Sequence, residues 1–118
     1  LLGIAWDPVV EHYTPDMVID GVHGPSRSRV THGRTANGVE IELVQLVEGH
    51  SVDDVVMGDR EGISHTAFLV DDLDAARADL QAKGYRVVSE GKAARADWVF
   101  THSERLGGAL VQLVRLNA

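Results

Sequence analysis

Three side chains able to bind a divalent metal ion lie within short, mostly apolar segments that have the composition of β-strands. They are Glu42, His65 and Gln112. A carboxylate, an imidazole and an amide oxygen all suit an ion of intermediate hardness. Alternate residues of a strand share one face, so each of the three can point into a common cavity if its strand lines that cavity. The residues therefore predict a metal site formed by three separate strands.

Each of these residues also has a simpler interpretation. A single histidine on an apolar strand is more often a hydrogen-bonded core residue, which is the alternative for His65. For Glu42 the alternative is a solvated strand face, which we expect for Glu40, and for Gln112 it is an ordinary edge position. The other histidines lie in or beside predicted loops and are expected to face solvent: His12, His23, His32, His50 and His102.

The second half of the sequence predicts the order β-α-β-β-β. Residues 63–70 are rich in β-branched and aromatic types over the length of a strand. Asp71 and Asp72 supply N-cap oxygens for an amphipathic helix, and Gly84 is a typical residue to end it. Three further segments have the composition of strands, namely residues 85–89, 97–102 and 108–116.

The first half repeats part of this order. Residues 37–46 and 107–116 align without gaps and share a glycine, Leu/Val positions and a closing leucine, which makes Glu42 equivalent to Gln112. Gly3 corresponds to Gly84, and strand candidates near residues 9–13 and 28–35 lie between Gly3 and the repeated strand. An internal duplication of this kind is strong evidence for the fold.

The duplication predicts an α+β fold in which two βαβββ modules form a cupped sheet. Residues 1–48 are predicted to be the remainder of the first module, residues 49–62 a linker and residues 63–118 the second module, within one structural domain. The first module then lacks its initial strand and helix, which we expect upstream of Leu1. Leu1, Leu2 and Gly3 have the pattern of a helix end. The missing strand would supply a fourth ligand, a His or Gln.

Composition and charge argue against several classes of partner and of site. The formal net charge is −7, and the acidic residues are scattered, whereas binding to nucleic acid needs a concentrated basic face. No apolar run is long enough to cross a bilayer, and no leader sequence opens the chain. There is no cysteine, so a thiolate metal cluster and a cysteine nucleophile are excluded. We expect a cytoplasmic protein that binds neither membranes nor nucleic acid.

Two stretches of the second half resemble a known family. They are GISHTAFLVDDLDAARADLQAKGYRVVSEG and WVFTHSERLGGALVQLV. They look like the C-terminal module of the vicinal-oxygen-chelate (glyoxalase/bleomycin-resistance/dioxygenase) superfamily, with the closest likeness to methylmalonyl-CoA epimerase-like and glyoxalase-like proteins. The shared motifs are the Gly-x-x-His strand with His65, the Asp-Asp helix start and the His-x-x-x-x-Gly-Gly turn that begins at His102. Ser103 stands where the epimerases usually have Pro, and residues 14–30 match poorly.

The resemblance implies two βαβββ modules that close around a divalent ion, with Zn, Co, Ni, Mn, Mg and Fe as candidates. Carried over by position, the ligands are Glu42 in the last strand of the first module, and His65 and Gln112 in the first and last strands of the second. The implied chemistry is enolate-stabilised proton transfer on a small carbonyl acid or acyl thioester, by an epimerase, isomerase or lyase. The implied assembly is a homodimer.

Gln112 departs from the family pattern. Epimerases and glyoxalases commonly have Glu at this position, and in some members it also moves the proton. Gln keeps an oxygen donor but cannot accept a proton at neutral pH, which leaves Glu42 as the possible base. The same departure favours an alternative, a non-catalytic protein of the same fold that sequesters a small molecule. A third possibility is a soluble α+β domain whose repeat is accidental.

Overall fold

The computed structural model describes residues 3–118, apart from the side chain of Leu106. Contacts within the chain divide it into two units. The first consists of Leu1–Met17 and His23–His50, and the second of Val18–Val22 and Ser51–Ala118. Among the described residues, no helix has both the length and the apolar character needed to span a membrane.

The first unit contains a sheet of three strands in the order β1-β2-β3. The strands are β1 (Val10–Ile19), β2 (Val22–Arg34) and β3 (Glu40–Gly49). β2 and β3 are antiparallel, with His32 opposite Glu42. They are the three strands expected for the remainder of the first module. Gly3 has φ +64°, as a helix-ending glycine does, while the predicted helix end at Leu1 and Leu2 lies outside the described residues.

β1 and β2 are longer than the sequence predicted, because a two-residue turn joins them directly. Asp20 and Gly21 have φ of +48° and +77°, the conformation that the twist of a tight hairpin requires. The prediction of short strands near residues 9–13 and 28–35 was therefore wrong about their length. The poorly matching residues 14–30 belong to this hairpin, and its tip, Val18–Val22, is part of the second unit.

The second unit contains a four-stranded sheet in the order β4-β7-β6-β5, which confirms the predicted β-α-β-β-β pattern. The strands are β4 (His65–Leu69), β5 (Arg86–Lys92), β6 (Ala96–His102) and β7 (Leu110–Leu116). β4 and β7 are parallel, whereas β7, β6 and β5 pair antiparallel. β3 begins at Glu40 and β7 at Leu110, which is the offset at which the two halves of the sequence align.

The α-helix α2 (Leu73–Ala82) covers one face of this second sheet. The helix lies where the sequence predicted it. The carboxylate of Asp72 caps the first turn of α2 by accepting a hydrogen bond from the backbone N–H of Ala75 at 3.0 Å. Gly84 follows the helix with φ +92°. Leu73 packs with Val99 and Leu113 in the core of the unit. The α+β class is thus confirmed.

The segment predicted to be a linker contains a short helix, α1 (Asp54–Met57). Val52, directly before it, is buried with 7% of its surface exposed. A 3₁₀ turn at Leu106–Gly108 precedes β7. β5 extends past Gly91 to Lys92, which is further than predicted, because its end pairs with Asp97 and Trp98 of β6.

Candidate functional site

His65 is the first residue of β4 and is mostly enclosed. Its Nδ1 atom lies 3.1 Å from Oδ1 of Asp53, and the two side chains are 16% and 20% exposed. The edge of one aromatic ring meets the face of the other where His65 contacts Phe100, with ring centroids 5.3 Å apart. The imidazole is therefore held in one orientation from two sides.

Asp53 is a site residue that the sequence did not predict. Its Oδ1 also accepts a hydrogen bond from the hydroxyl of Ser64 at 2.7 Å, and its Oδ2 accepts one from Ser51 at 3.3 Å. Burial works to raise the pKa of the Asp53 carboxyl, but hydrogen bonds from His65 and Ser64, with the charge of His65, outweigh it. The pKa of Asp53 is therefore below its ordinary value of 3.8. An ionised carboxylate stands beside the imidazole.

Gln112 lies in β7, between two neighbouring strands, so the interpretation of an edge residue was wrong. It pairs with Ala67 of β4 on one side and with Phe100 of β6 on the other. Paired residues share a face, and so do residues two apart in a strand, which places Gln112 on the same face as His65. The core residue Leu113 is on the opposite face, under α2. His65 and Gln112 therefore share the face that the helix does not cover.

Glu42 belongs to the first unit and lies near the start of β3. Its Oε2 atom is 2.6 Å from Nε2 of His32, directly across the strand pair, and the two side chains are 37% and 35% exposed. His32 thus lies in the strand that was predicted near residues 28–35. It has a carboxylate partner, which the expectation of a solvent-facing side chain did not include. That Glu42 lines the same cup as His65 and Gln112 remains a prediction.

His102 also differs from expectation, because it is buried at the end of β6 with 9% of its surface exposed. Its Nδ1 lies 2.8 Å from a guanidinium nitrogen of Arg86. Since arginine can only donate, the ring accepts this hydrogen bond. His50 is half-buried, and its Nε2 lies 2.9 Å from the carbonyl oxygen of Met17. His102 is thus hydrogen-bonded to a neighbouring side chain, and His50 is hydrogen-bonded to the backbone.

The second unit offers two donors that fit a divalent ion. They are the imidazole of His65 and the amide oxygen of Gln112, and both suit an ion of intermediate hardness. A carboxylate on the second ring nitrogen, as at Asp53, commonly accompanies a metal-ligating histidine. Within residues 3–118, no three His, Asp or Glu side chains are grouped closely enough to hold a metal ion. The complete three-ligand site remains a prediction.

Comparison with known proteins gives a family match. Residues 2–101 match the model of the Glyoxalase/Bleomycin resistance protein/Dioxygenase superfamily. The crystal structure of a glyoxalase family protein from Bacillus cereus is similar at 15% sequence identity, with a TM-score of 0.46, over 99% of this chain and 80% of that one. The comparison with curated proteins found no match.

Proposed function

The chain belongs to the Glyoxalase/Bleomycin resistance protein/Dioxygenase superfamily, and we propose that it is a glyoxalase-like enzyme that acts on a small carbonyl acid or acyl thioester. The observation that carries this proposal is the shared face of His65 and Gln112, on the side of the second sheet opposite α2. Two donors on one face of adjacent parallel strands are part of the ligand set that a metal site needs, and membership of the family argues against an accidental repeat.

The residues that would hold the ion are His65, Gln112 and Glu42. A bound divalent ion, with Zn, Co, Ni, Mn, Mg or Fe as candidates, would supply the positive charge that stabilises an enolate. The rest of the chemistry belongs to the chain. His65 would bind through a ring nitrogen, while the Gln112 amide would contribute an oxygen and could not take a proton.

Glu42 is the carboxylate that we propose as the base. Removal of a proton next to a carbonyl needs a group that is ionised and within reach of the substrate. The contact between Glu42 and His32, at 2.6 Å, gives this carboxylate a neighbour that can pass a proton onward. The resulting reaction class is epimerisation, isomerisation or a lyase reaction.

Metal content tests the first half of the proposal. We expect about one divalent ion per full chain after purification without chelators, and loss of that ion in His65→Ala. A matched control is His23→Ala, because His23 pairs with Asp16 in the β1–β2 hairpin and is exposed. A metal-free protein that binds an organic ligand tightly would instead support the sequestering alternative, which the amide at Gln112 favours.

Proton exchange tests the second half. In heavy water, the wild-type protein should catalyse the exchange of hydrogen for deuterium at the carbon next to the carbonyl of a small acyl thioester. Proton NMR measures the rate of this exchange. Glu42→Gln should slow this exchange by about a hundredfold or more, the usual contribution of a positioned base. Glu40→Gln is the control, because Glu40 lies two residues away on β3 and pairs with Arg34. Equal rates for Glu42→Gln and wild type would exclude Glu42 as the base.

A further inference from the structure

Asp53 occupies the N-cap position of α1 but does not cap it. An aspartate at this position usually accepts a hydrogen bond from a backbone N–H of the first turn, whereas the side chain of Asp53 makes no such bond. It turns instead toward β4 and contacts His65 at 3.1 Å and Ser64 at 2.7 Å. The usual structural role of a helix-capping aspartate therefore does not explain this residue.

The hydrogen bonds around Asp53 determine which nitrogen of His65 carries the proton. A carboxylate only accepts hydrogen bonds, so the Nδ1 atom that faces Asp53 must be the donor. Ser64 Oγ lies 3.3 Å from the same Nδ1 atom, and its own hydrogen is directed to Asp53, so it too can accept there. In a neutral ring, a proton on Nδ1 leaves the lone pair on Nε2, and a metal ion binds only a nitrogen that has its lone pair.

The carboxylate of Asp53 is itself fixed. Ser51 donates to its Oδ2 atom, and the backbone N–H of Asp53 donates to the hydroxyl of Ser51 at 3.2 Å. The buried residue Val52 anchors the segment between them. A ligand whose partner is held by several hydrogen bonds loses less orientational freedom when it binds an ion.

We propose that Asp53 is a positioning residue that fixes the tautomer and the ring orientation of His65, so that Nε2 is the ligating atom. This inference rests on the proposed metal-binding function of His65. It adds a residue from the segment between the two modules to the site, and it assigns that residue a role through His65.

The tautomer can be measured directly in the metal-free protein. Nitrogen-15 NMR distinguishes a protonated from an unprotonated ring nitrogen, and at a pH where His65 is neutral we expect the proton on Nδ1. Asp53→Ala should move the proton of His65 toward Nε2, while Asp53→Asn, which keeps a neutral acceptor, should retain much of the Nδ1–H form. Asp59→Ala is the matched control, because Asp59 is an exposed carboxylate that follows α1 closely in the sequence.

Zinc affinity of the full chain provides the second measurement. Loss of a residue that orients a ligating histidine weakens metal binding by roughly tenfold to a hundredfold. We expect this loss in Asp53→Ala, a smaller loss in Asp53→Asn and an unchanged dissociation constant for Zn²⁺ in Asp59→Ala. Calorimetric titration with Zn²⁺ alone gives these constants.

The outcomes separate this inference from the function on which it rests. A wild-type protein that binds no Zn²⁺ would overturn both. Wild-type binding together with a His65 proton on Nε2, or with equal affinities in Asp53→Ala and Asp59→Ala, would overturn the role of Asp53 and leave the metal site standing. Should Asp53→Ala not fold, the wild-type tautomer and the Asp53→Asn affinity still decide the question.

Discussion

Asp20 and Arg86 join the tip of the β1–β2 hairpin to β5 of the second unit. The carboxylate of Asp20 accepts hydrogen bonds from Nε of Arg86 at 3.2 Å and from Nη2 at 3.1 Å. The backbone supports the same contact, since the N–H of Asp20 donates to the carbonyl of Val88 at 2.8 Å. The adjacent Ile19 is buried. The tip is therefore a structural part of the second unit.

Two substitutions of Asp20 should distinguish how much its charge and how much its turn conformation contribute to the free energy of unfolding. Asn tolerates positive φ and keeps the hairpin, so Asp20→Asn should lower the free energy of unfolding by about 1 kcal/mol or less, as for a partly exposed ion pair. Asp20→Ala loses the charge and also strains the turn, which should cost about 1 kcal/mol more. Urea unfolding measures both, and equal values for the two variants would contradict the turn argument.

The charge of Asp97 should make the free energy of unfolding depend on pH in the acidic range. The hydrogen bond that Asn117 donates is the largest cause that lowers the pKa of Asp97, and Arg115 lowers it further. Burial acts in the opposite direction but does not outweigh them. The ionised form is favoured in the folded state, so its contribution is present above the ordinary pKa of 3.8 and is lost as the pH falls through the lower folded pKa. In urea unfolding, the advantage of wild type over Asp97→Asn should shrink below about pH 4. Parallel pH profiles would show that Asp97 contributes nothing through its charge.

Gly91 should not tolerate a side chain, because the ring of Trp98 lies directly against it. A Cβ atom added at Gly91 would come within 2.7 Å of Cε2 and 3.1 Å of Nε1 of Trp98. Overpacking of this kind costs about 1–3 kcal/mol, so Gly91→Ala should lower the midpoint of thermal unfolding. If the ring is the cause, the same substitution should cost much less in a Trp98→Leu background. An undiminished cost there would place the strain elsewhere.

Asp72 should stabilise α2 through its cap. Replacement of a capping aspartate by alanine removes a bond to a backbone N–H and costs about 1 kcal/mol, so Asp72→Ala should destabilise the protein by that amount in urea unfolding. The matched control is Asp71→Ala, which removes the neighbouring carboxylate and leaves the bond to Ala75 in place. Equal effects of the two variants would mean that charge, rather than capping, matters there.

Gln112 should respond to restoration of the family's carboxylate. An added negative charge beside a divalent ion contributes more than about 1 kcal/mol even when it is well screened, so Gln112→Glu should tighten Zn²⁺ binding by roughly tenfold. Gln81→Glu adds the same charge on α2 and should leave the affinity unchanged. Calorimetric titration compares the two. An identical gain in both variants would point to net charge instead of ligation.

The sequence predicted the elements that local chemistry determines. α2 has its cap at Asp72 and its stop at Gly84. Both signals act within one turn of the helix ends, which is why the sequence alone was enough to predict this helix correctly. The two-residue period of a strand predicts which residues of β4 share a face with His65, and which residues of β7 share a face with Gln112. That these two faces coincide depends on the pairing of β4 with β7, which only the structure gives.

The elements that were missed depend on contacts between distant residues. Pro15 and Pro25 interrupt the strand pattern between the two predicted strands, and no strand was predicted for residues 14–27. The sheet accommodates Pro15 because β1 lies at an edge of its sheet, and Pro25 lies close to the register shift of β2 at Arg27 and Ser28. The pair Asp20-Gly21 was the available signal for the hairpin.

The contribution of Asp53 could not be predicted in the same way. Ser51 and Asp53 are compatible with a helix start, and a helix does begin there. No local pattern indicates that the Asp53 side chain turns away from that helix to a histidine 12 residues further along the chain. Such a contact exists only once the strand and the segment before it have packed together.

The hairpin tip also has a consequence for the order in which the molecule forms. Asp20 and Arg86 are 66 residues apart in the chain, and contacts at such separation require the closure of a long loop, whose entropic cost precedes any gain. α2 and the antiparallel β5–β6–β7 meander depend on much shorter loops. Folding of the second unit therefore has a local part and a remote part, and a chain cut between residues 50 and 51 would separate the remote part from the rest.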